Sequence, residues 1–328
     1  MLRLLVHGLV ALITTAWRRA RFGPRRASWS FGFEVLVATL RLHARWLARL
    51  DIAALRRATE GMRAPLAPGV TARTEPVQGV PVTWFEPSTN GGRTVLYLHG
   101  GGYVFGSASQ DRGIASRIAV ALGARVAAPD YRLAPEHPFP AAVEDVVATY
   151  TGLVSAGHSS LILVGLSSGA GLAVSALTRL RAKGGPLPAG VVLLSPMLDL
   201  TGKSPSWSAN EGVDWGVPRA LVRWGALYAG SLDPSAPEVS PVHADLTGLS
   251  PMLVVNGDAE LLADDARTFV ERARSAGVPV THHVERDGIH AFMALGRNDD
   301  ATTRAFEQIT AFVTSRCAQL QPAAAPQS

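Results

Sequence analysis

Gly165-Leu166-Ser167-Ser168-Gly169 sets a serine between two glycines. The apolar run Leu161-Ile162-Leu163-Val164 precedes it, and small and apolar residues follow from Ser168 to Lys183. Strand, tight turn and helix in that order form a nucleophile elbow, in which a strained turn projects a serine Oγ from the top of a sheet. Glycines at 165 and 169 remove Cβ atoms that would collide there. The free N–H groups at the start of the helix favour negative charge beside the hydroxyl. A second glycine run, His99-Gly100-Gly101-Gly102, lies 65 residues upstream, after the strand-like Thr94-Val95-Leu96-Tyr97-Leu98. It has neither the Gly-x-Gly-x-x-Gly spacing nor the Lys-Ser/Thr pair of phosphate-binding loops. Its backbone can approach a ligand closely and aim several N–H groups one way, as acyl transfer requires where the tetrahedral intermediate carries its negative oxygen. The donors assigned are the N–H groups of Gly101, Gly102 and Ser168. His99 is expected to shape the glycine loop by hydrogen bonding rather than to act as a base.

These turns need a sheet to hold them. Strand patterns fall near 80–86, 94–98, 125–129, 160–165, 190–195, 251–256 and 280–285. Helical patterns fall near 109–122, 141–155, 169–183, 262–276 and 301–316. The alternation predicts an α/β fold with a mostly parallel central sheet flanked by helices. At 328 residues and 47% hydrophobic content, the chain can bury a large core. Two segments stand outside the alternation. One, about 197–248, carries Trp207, Trp215, Trp224 and Tyr228. The other, 1–60, places Phe33, Leu36, Val37, Leu40, Leu47 and Leu50 at helical spacing.

Three stretches together resemble one family. They are His99 to Gly106, the long motif Pro129-Asp130-Tyr131-Arg132-Leu133-Ala134-Pro135-Glu136-His137-Pro138-Phe139-Pro140-Ala141-Ala142, and the serine elbow. Over about residues 80–316 the chain resembles the hormone-sensitive-lipase-like esterases of the α/β-hydrolase superfamily. It departs from them at Leu166 and Ser168, where many members carry Asp and Ala. The resemblance implies an α/β-hydrolase fold with a helical cap built from segment 1–60 and the insertion at 197–248. The catalytic domain is then 61–320, followed by a tail, 321–328, expected to be disordered.

A serine nucleophile needs a base and an acid, in the order Ser, acid, His for this fold. His290, in Asp287-Gly288-Ile289-His290, stands on a loop beyond the last strand and matches the family's base. His282 and His283 lie within that strand and point to opposite faces. His158 and His243 read as surface loop residues. The acid comes from Gly257-Asp258-Ala259-Glu260-Leu261-Leu262-Ala263-Asp264-Asp265. Alignment of Leu262 and Asp264 with the family pattern points to Glu260, 30 residues before His290, with Asp258 as the alternative. Asp264 and Asp265 are expected to cap or solvate the next helix. A divalent-cation site from Asp258, Glu260, Asp264 and Asp265 is the competing use of these carboxylates, but their spacing has no EF-hand pattern.

Residues 1–73 hold 13 arginines against Glu34, Asp51 and Glu60, a net of +10, whereas the remainder carries −5. No nucleic-acid motif accompanies the arginines, so that partner is set aside. Leu4 to Trp17 is mainly apolar and is followed by Arg18, Arg19, Arg21, Arg25 and Arg26. Fourteen residues are too few to span a bilayer, and the pattern suits an interfacial helix against anionic lipid better than a signal peptide. The single Cys317 forms no internal disulfide. The expectation is a cytoplasmic protein, peripheral to membrane at most. Its function is then hydrolysis of short- to medium-chain acyl esters, with no cofactor and no metal, on a small-molecule ester. A related acetylhydrolase, lactonase or amidase would use the same groups. A non-catalytic receptor on this fold is the alternative of another class, and retention of both Ser167 and His290 speaks for the enzyme.

Overall fold

The computed structural model describes residues 2–89, 91–158 and 160–320; the expected disordered tail lies outside them. Eight strands form one sheet: β1 (Val70–Val77), β2 (Val80–Pro87), β3 (Arg93–Leu98), β4 (Ala124–Pro129), β5 (Ile162–Leu166), β6 (Gly190–Leu194), β7 (Met252–Gly257) and β8 (Val280–Glu285). Their order across the sheet is β1-β2-β4-β3-β5-β6-β7-β8. β2 pairs antiparallel with both β1 and β4, and every pairing from β4 to β8 is parallel.

The inner strands are apolar along their whole length because helices cover both faces. Leu96, Leu98, Leu163, Val191, Leu193, Met252 and Val254 enter one core. That core is shared with α5 (Ala141–Ser155), α6 (Ser168–Ala182) and α9 (Ala263–Ser275). The intervening residues Val95, Tyr97, Ile162, Val164, Val192, Leu194 and Val255 enter the other, against α4 (Arg112–Leu122) and α10 (Asp300–Leu320). Period-two alternation thus divides each strand between two cores. α6 is buried almost throughout, which its run of Ala, Gly and Ser permits.

β1 corrects the expectation of seven strands. It is an edge strand whose residues from Thr71 to Pro76 are exposed, so it has no apolar period to betray it. Its partner is supplied by the two-residue turn Gln78-Gly79, both at positive φ, the geometry that closes a hairpin.

Residues 2–60 hold α1 (Leu2–Phe22), α2 (Phe31–Leu47) and α3 (Ile52–Thr59). Ser30 and Asp51 cap α2 and α3, each accepting a hydrogen bond from the third backbone N–H beyond it. The 197–248 segment contributes α7 (Pro205–Ala209), α8 (Pro218–Ala229) and a 3₁₀ turn at Pro241–His243. α2, α8 and the loop before α8 lie over the C-terminal ends of the parallel strands, where open α/β sheets bind ligands.

Candidate active site

Ser167 follows β5 directly and has φ +55° and ψ −118°, a conformation that L-residues rarely adopt. The glycines on either side make the turn possible. A Cβ at Gly165 would sit 2.4 Å from the Gly169 carbonyl oxygen, and one at Gly169 would sit 2.3 Å from that of Leu98. The serine hydroxyl is therefore held where β5 meets α6. β3 and β5 are neighbours, so the loop after β3 brings Gly100 alongside it. Asp111 fixes that loop, accepting hydrogen bonds from Gly100 N at 3.1 Å and Tyr97 Oη at 2.8 Å. His99 is buried, stacks on Tyr131 at 4.2 Å and bonds the Gly100 carbonyl through Nδ1 at 2.7 Å. Its contacts are those of a loop-shaping residue. Among the described residues, the N–H groups of Gly101, Gly102 and Ser168 donate to no protein acceptor. The loop's own bonds run from Val104 N and Phe105 N to the Gly101 carbonyl.

Two further loops at the same sheet edge complete a hydrogen-bonded chain. Ser167 Oγ lies 3.0 Å from His290 Nε2, and His290 Nδ1 lies 3.0 Å from Glu260 Oε2. Glu260 follows β7 and is fully buried; its other oxygen accepts from Ser195 Oγ at 3.0 Å and from Gly257 N. Asp258 is exposed and turned away, accepting from Asp287 N at 2.7 Å. His282 bonds Asn256 and His283 bonds Glu285, both away from the serine. The carboxylates of the 258–265 run thus turn to different partners. Asp264 accepts from Ser206 N at 2.9 Å. Asp265, expected to solvate the start of α9, is instead buried beneath Trp207, whose Nε1 lies 3.3 Å away. Leu262, not an aspartate, stands at the N-cap of α9.

A family model described as alpha/beta hydrolase fold matches residues 95–294, more than half of the chain. The chain belongs to the α/β-hydrolase fold family. It is 46% identical over 201 residues to an acetyl-hydrolase of Streptomyces hygroscopicus, covering 60% of this chain and 67% of that protein. It is 35% identical over 225 residues to an esterase of Acinetobacter venetianus, covering 66% and 73%. Among solved structures it resembles an esterase from the bacterial hormone-sensitive lipase family. That match has a TM-score of 0.80 and 39% identity, covering 85% of this chain and 97% of the other. The protein is a carboxylic ester hydrolase of this hormone-sensitive-lipase-like group.

The hydrolase carries a carboxylate at its site that sequence reasoning missed. Asp214, from the 197–248 segment, is buried and accepts three backbone N–H bonds: from Trp215 at 2.8 Å, Leu261 at 2.9 Å and His290 at 3.1 Å. It therefore grips the main chain of His290 and of the residue after Glu260. Asn210 adds bonds to the Glu260 and Asp258 carbonyls, and Trp215 Nε1 donates to the His290 carbonyl at 2.9 Å. Arg41 of α2 donates to the Val213 and Asp214 carbonyls at 2.7 and 3.0 Å. Its burial brings the guanidinium down to about 10. In the sequence, Asp214 is one acid in an aromatic insertion with no motif around it.

These neighbours set the proton affinity of the histidine. Burial alone would hold the His290 imidazolium down. The hydrogen bond and charge of Glu260, together with the charge of Asp214, outweigh that and raise its pKa above the ordinary histidine value. Burial raises Glu260, against the opposing pull of His290. Burial likewise raises Asp214, opposed by His290 and by its three N–H donors. The hydroxyl faces a cavity of about 270 Å³. Gly101 and Gly102 form part of its floor, and Leu47, Trp215, Leu221 and Trp224 wall it. Trp224 packs so closely on the loop that a Cβ at Gly102 would lie 2.8 Å from its ring.

Proposed function

We propose that this esterase works through Ser167 as nucleophile, His290 as general base and acid, and Glu260 as the orienting acid. The N–H groups of Gly101, Gly102 and Ser168 receive the oxyanion. Ser167 Oγ adds to the ester carbonyl carbon as its proton passes to His290 Nε2. The resulting oxyanion accepts from the three N–H groups. The carbon–oxygen bond to the alcohol then breaks, and the proton on Nε2 goes to the departing oxygen. Water adds to the acyl-enzyme with His290 again taking the proton. Return of that proton to Ser167 Oγ releases the carboxylic acid. Glu260 stabilises the imidazolium in both halves. The observation that carries this proposal is the continuous chain Ser167–His290–Glu260, at 3.0 Å for each link, beside N–H groups that have no protein acceptor among the described residues.

In the same proposal, segment 1–60 and the 197–248 insertion form a cap on the catalytic domain, 61–320. The supporting contacts are Ala44 and Leu47 of α2, and Leu221 and Trp224 of α8, on the cavity wall. The small aromatic-walled cavity favours short- to medium-chain acyl groups. Each methylene that finds an apolar wall adds up to about 0.8 kcal/mol until the wall ends. The site of action proposed is the cytoplasm; among the described residues, no helix is long and apolar enough to cross a membrane.

The test joins Ser167→Ala to a p-nitrophenyl ester series from C2 to C16. The native chain should turn over the short and medium esters and take one fluorophosphonate label at Ser167; the variant should do neither. Labelling of the variant at the native rate would remove Ser167 from its role. A native chain that retains ligand without turnover would turn the proposal to the receptor alternative.

A further inference from the structure

We propose that the outer face of α1 docks on an anionic lipid bilayer. α1 packs on α2 along a narrow seam formed by His7, Gly8, Ala11, Thr15 and Arg18. Opposite that seam, at helical spacing, stand Leu5, Leu9, Ile13 and Trp17, which are 66%, 60%, 61% and 67% exposed. Val6, Ala16 and Ala20 fill the same outward arc, so it holds no charged side chain. A continuous exposed apolar face of this kind marks an interaction surface.

The charges around the face choose its occupant. Arg18, Arg19 and Arg25 surround the buried Glu34, and that one carboxylate cannot neutralise all three. Arg3 and Arg21 are exposed on the flank of the apolar arc, with no carboxylate partner among the described residues. Their contacts are with aromatic rings, Trp46 and Phe22. An apolar strip bordered by unpaired arginines matches acyl chains below a layer of negative headgroups. A second copy of this chain would set the same arginines against one another. Docking would also place the cavity near the bilayer, because α2, which packs under α1, lines that cavity through Ala44 and Leu47. The inference does not depend on the assignment of the triad.

The test is co-sedimentation of the full chain with vesicles of phosphatidylcholine alone or with 30% phosphatidylglycerol. Binding should require the anionic lipid. It should fall at least tenfold in the Leu9→Asp/Ile13→Asp variant and several-fold in Arg3→Glu/Arg21→Glu or in 0.5 M salt. Hydrolysis of a water-soluble short ester should be unchanged in these variants. If the apolar variant fails to fold, the native chain still decides. Brominated anionic lipid should quench its tryptophan fluorescence, and Trp17→Phe should remove that quenching. No binding to anionic vesicles, binding indifferent to the apolar variant, or no quenching would overturn the proposal. So would a dimer in lipid-free solution that Leu9→Asp/Ile13→Asp dissociates, because the face would then belong to a second copy.

Discussion

Glu260→Gln tests the acid assignment most severely, because the contacts at Glu260 dictate how the amide must sit. Oε1 accepts from both Gly257 N and Ser195 Oγ, and Ser195 Oγ itself accepts from Ala291 N at 3.0 Å. The Gly257 N–H cannot turn away. In the variant the amide oxygen must therefore take the Oε1 position, and the NH₂ group faces His290 Nδ1. Nδ1 then has to accept, which places the ring proton on Nε2, facing Ser167 Oγ. In that tautomer the ring cannot take the serine proton. The expected loss in kcat is about 10⁴-fold, or about 5 kcal/mol of transition-state stabilisation. Loss of the negative charge should also lower the His290 pKa, moving the acid limb of the kcat/KM profile to lower pH. Asp258→Asn is the control. Its Oδ1 accepts one backbone N–H at 2.7 Å, which an amide oxygen can also do, so a change within about threefold is expected. Both variants should be measured on one p-nitrophenyl ester across pH 5 to 9 at roughly half-unit steps, a range that brackets the titration of a histidine. Activity of Glu260→Gln within tenfold of native, or a severe loss confined to Asp258→Asn, would refute this reasoning.

Asp214→Asn sets an NH₂ against at least one of the three N–H donors, a cost of about 1–3 kcal/mol in a buried site. kcat should fall about 10- to 100-fold with little change in KM. The acid limb should move to lower pH because a charge that raises His290 is gone; a merely structural role would leave the pH profile in place. Asp265 is pushed up to about 8 by burial, against about 3.9 in an unfolded chain. Between those values the folded protein keeps a proton that the unfolded chain releases, so this group costs stability as pH rises from about 4 to about 8. Asp265→Asn should therefore gain stability relative to native between pH 5 and pH 8 in urea unfolding, and a pH-independent difference would exclude the raised carboxyl.

Several parts of this site were legible because their chemistry is local. A serine at positive φ between a strand and a helix needs small neighbours at once, so Gly165 and Gly169 had to appear within two residues of it. An N–H-lined loop needs consecutive glycines, so it also announced itself. Glu260 was separable from Asp258 only through the pattern of Leu262 and Asp264. The partners that surround the Glu260 carboxylate, Gly257, Ser195 and His290, come from three separate segments of the chain. β1 stayed hidden because a solvent-facing edge strand needs no apolar period, and Asp265 misled because a carboxylate near a helix start ordinarily serves water or the cap.

The sequence by itself determined the alternating strands and helices, the strained serine turn and its glycine partner. It also determined the arginine excess around an apolar N-terminal helix. Each of these is a demand met by residues adjacent in the chain. Only the tertiary structure decided that Asp214 would hold the backbone of His290 and Leu261, and that Arg41 would hold Asp214 from α2. It also decided that Ser195 would fix one oxygen of Glu260. Those partners lie 47 to 173 residues apart, and a hydrogen bond across such separations leaves no periodicity to read. What joins them is the packing of two helical segments over one sheet edge. Removing that edge from water makes each buried polar group require a partner, whatever its distance along the chain.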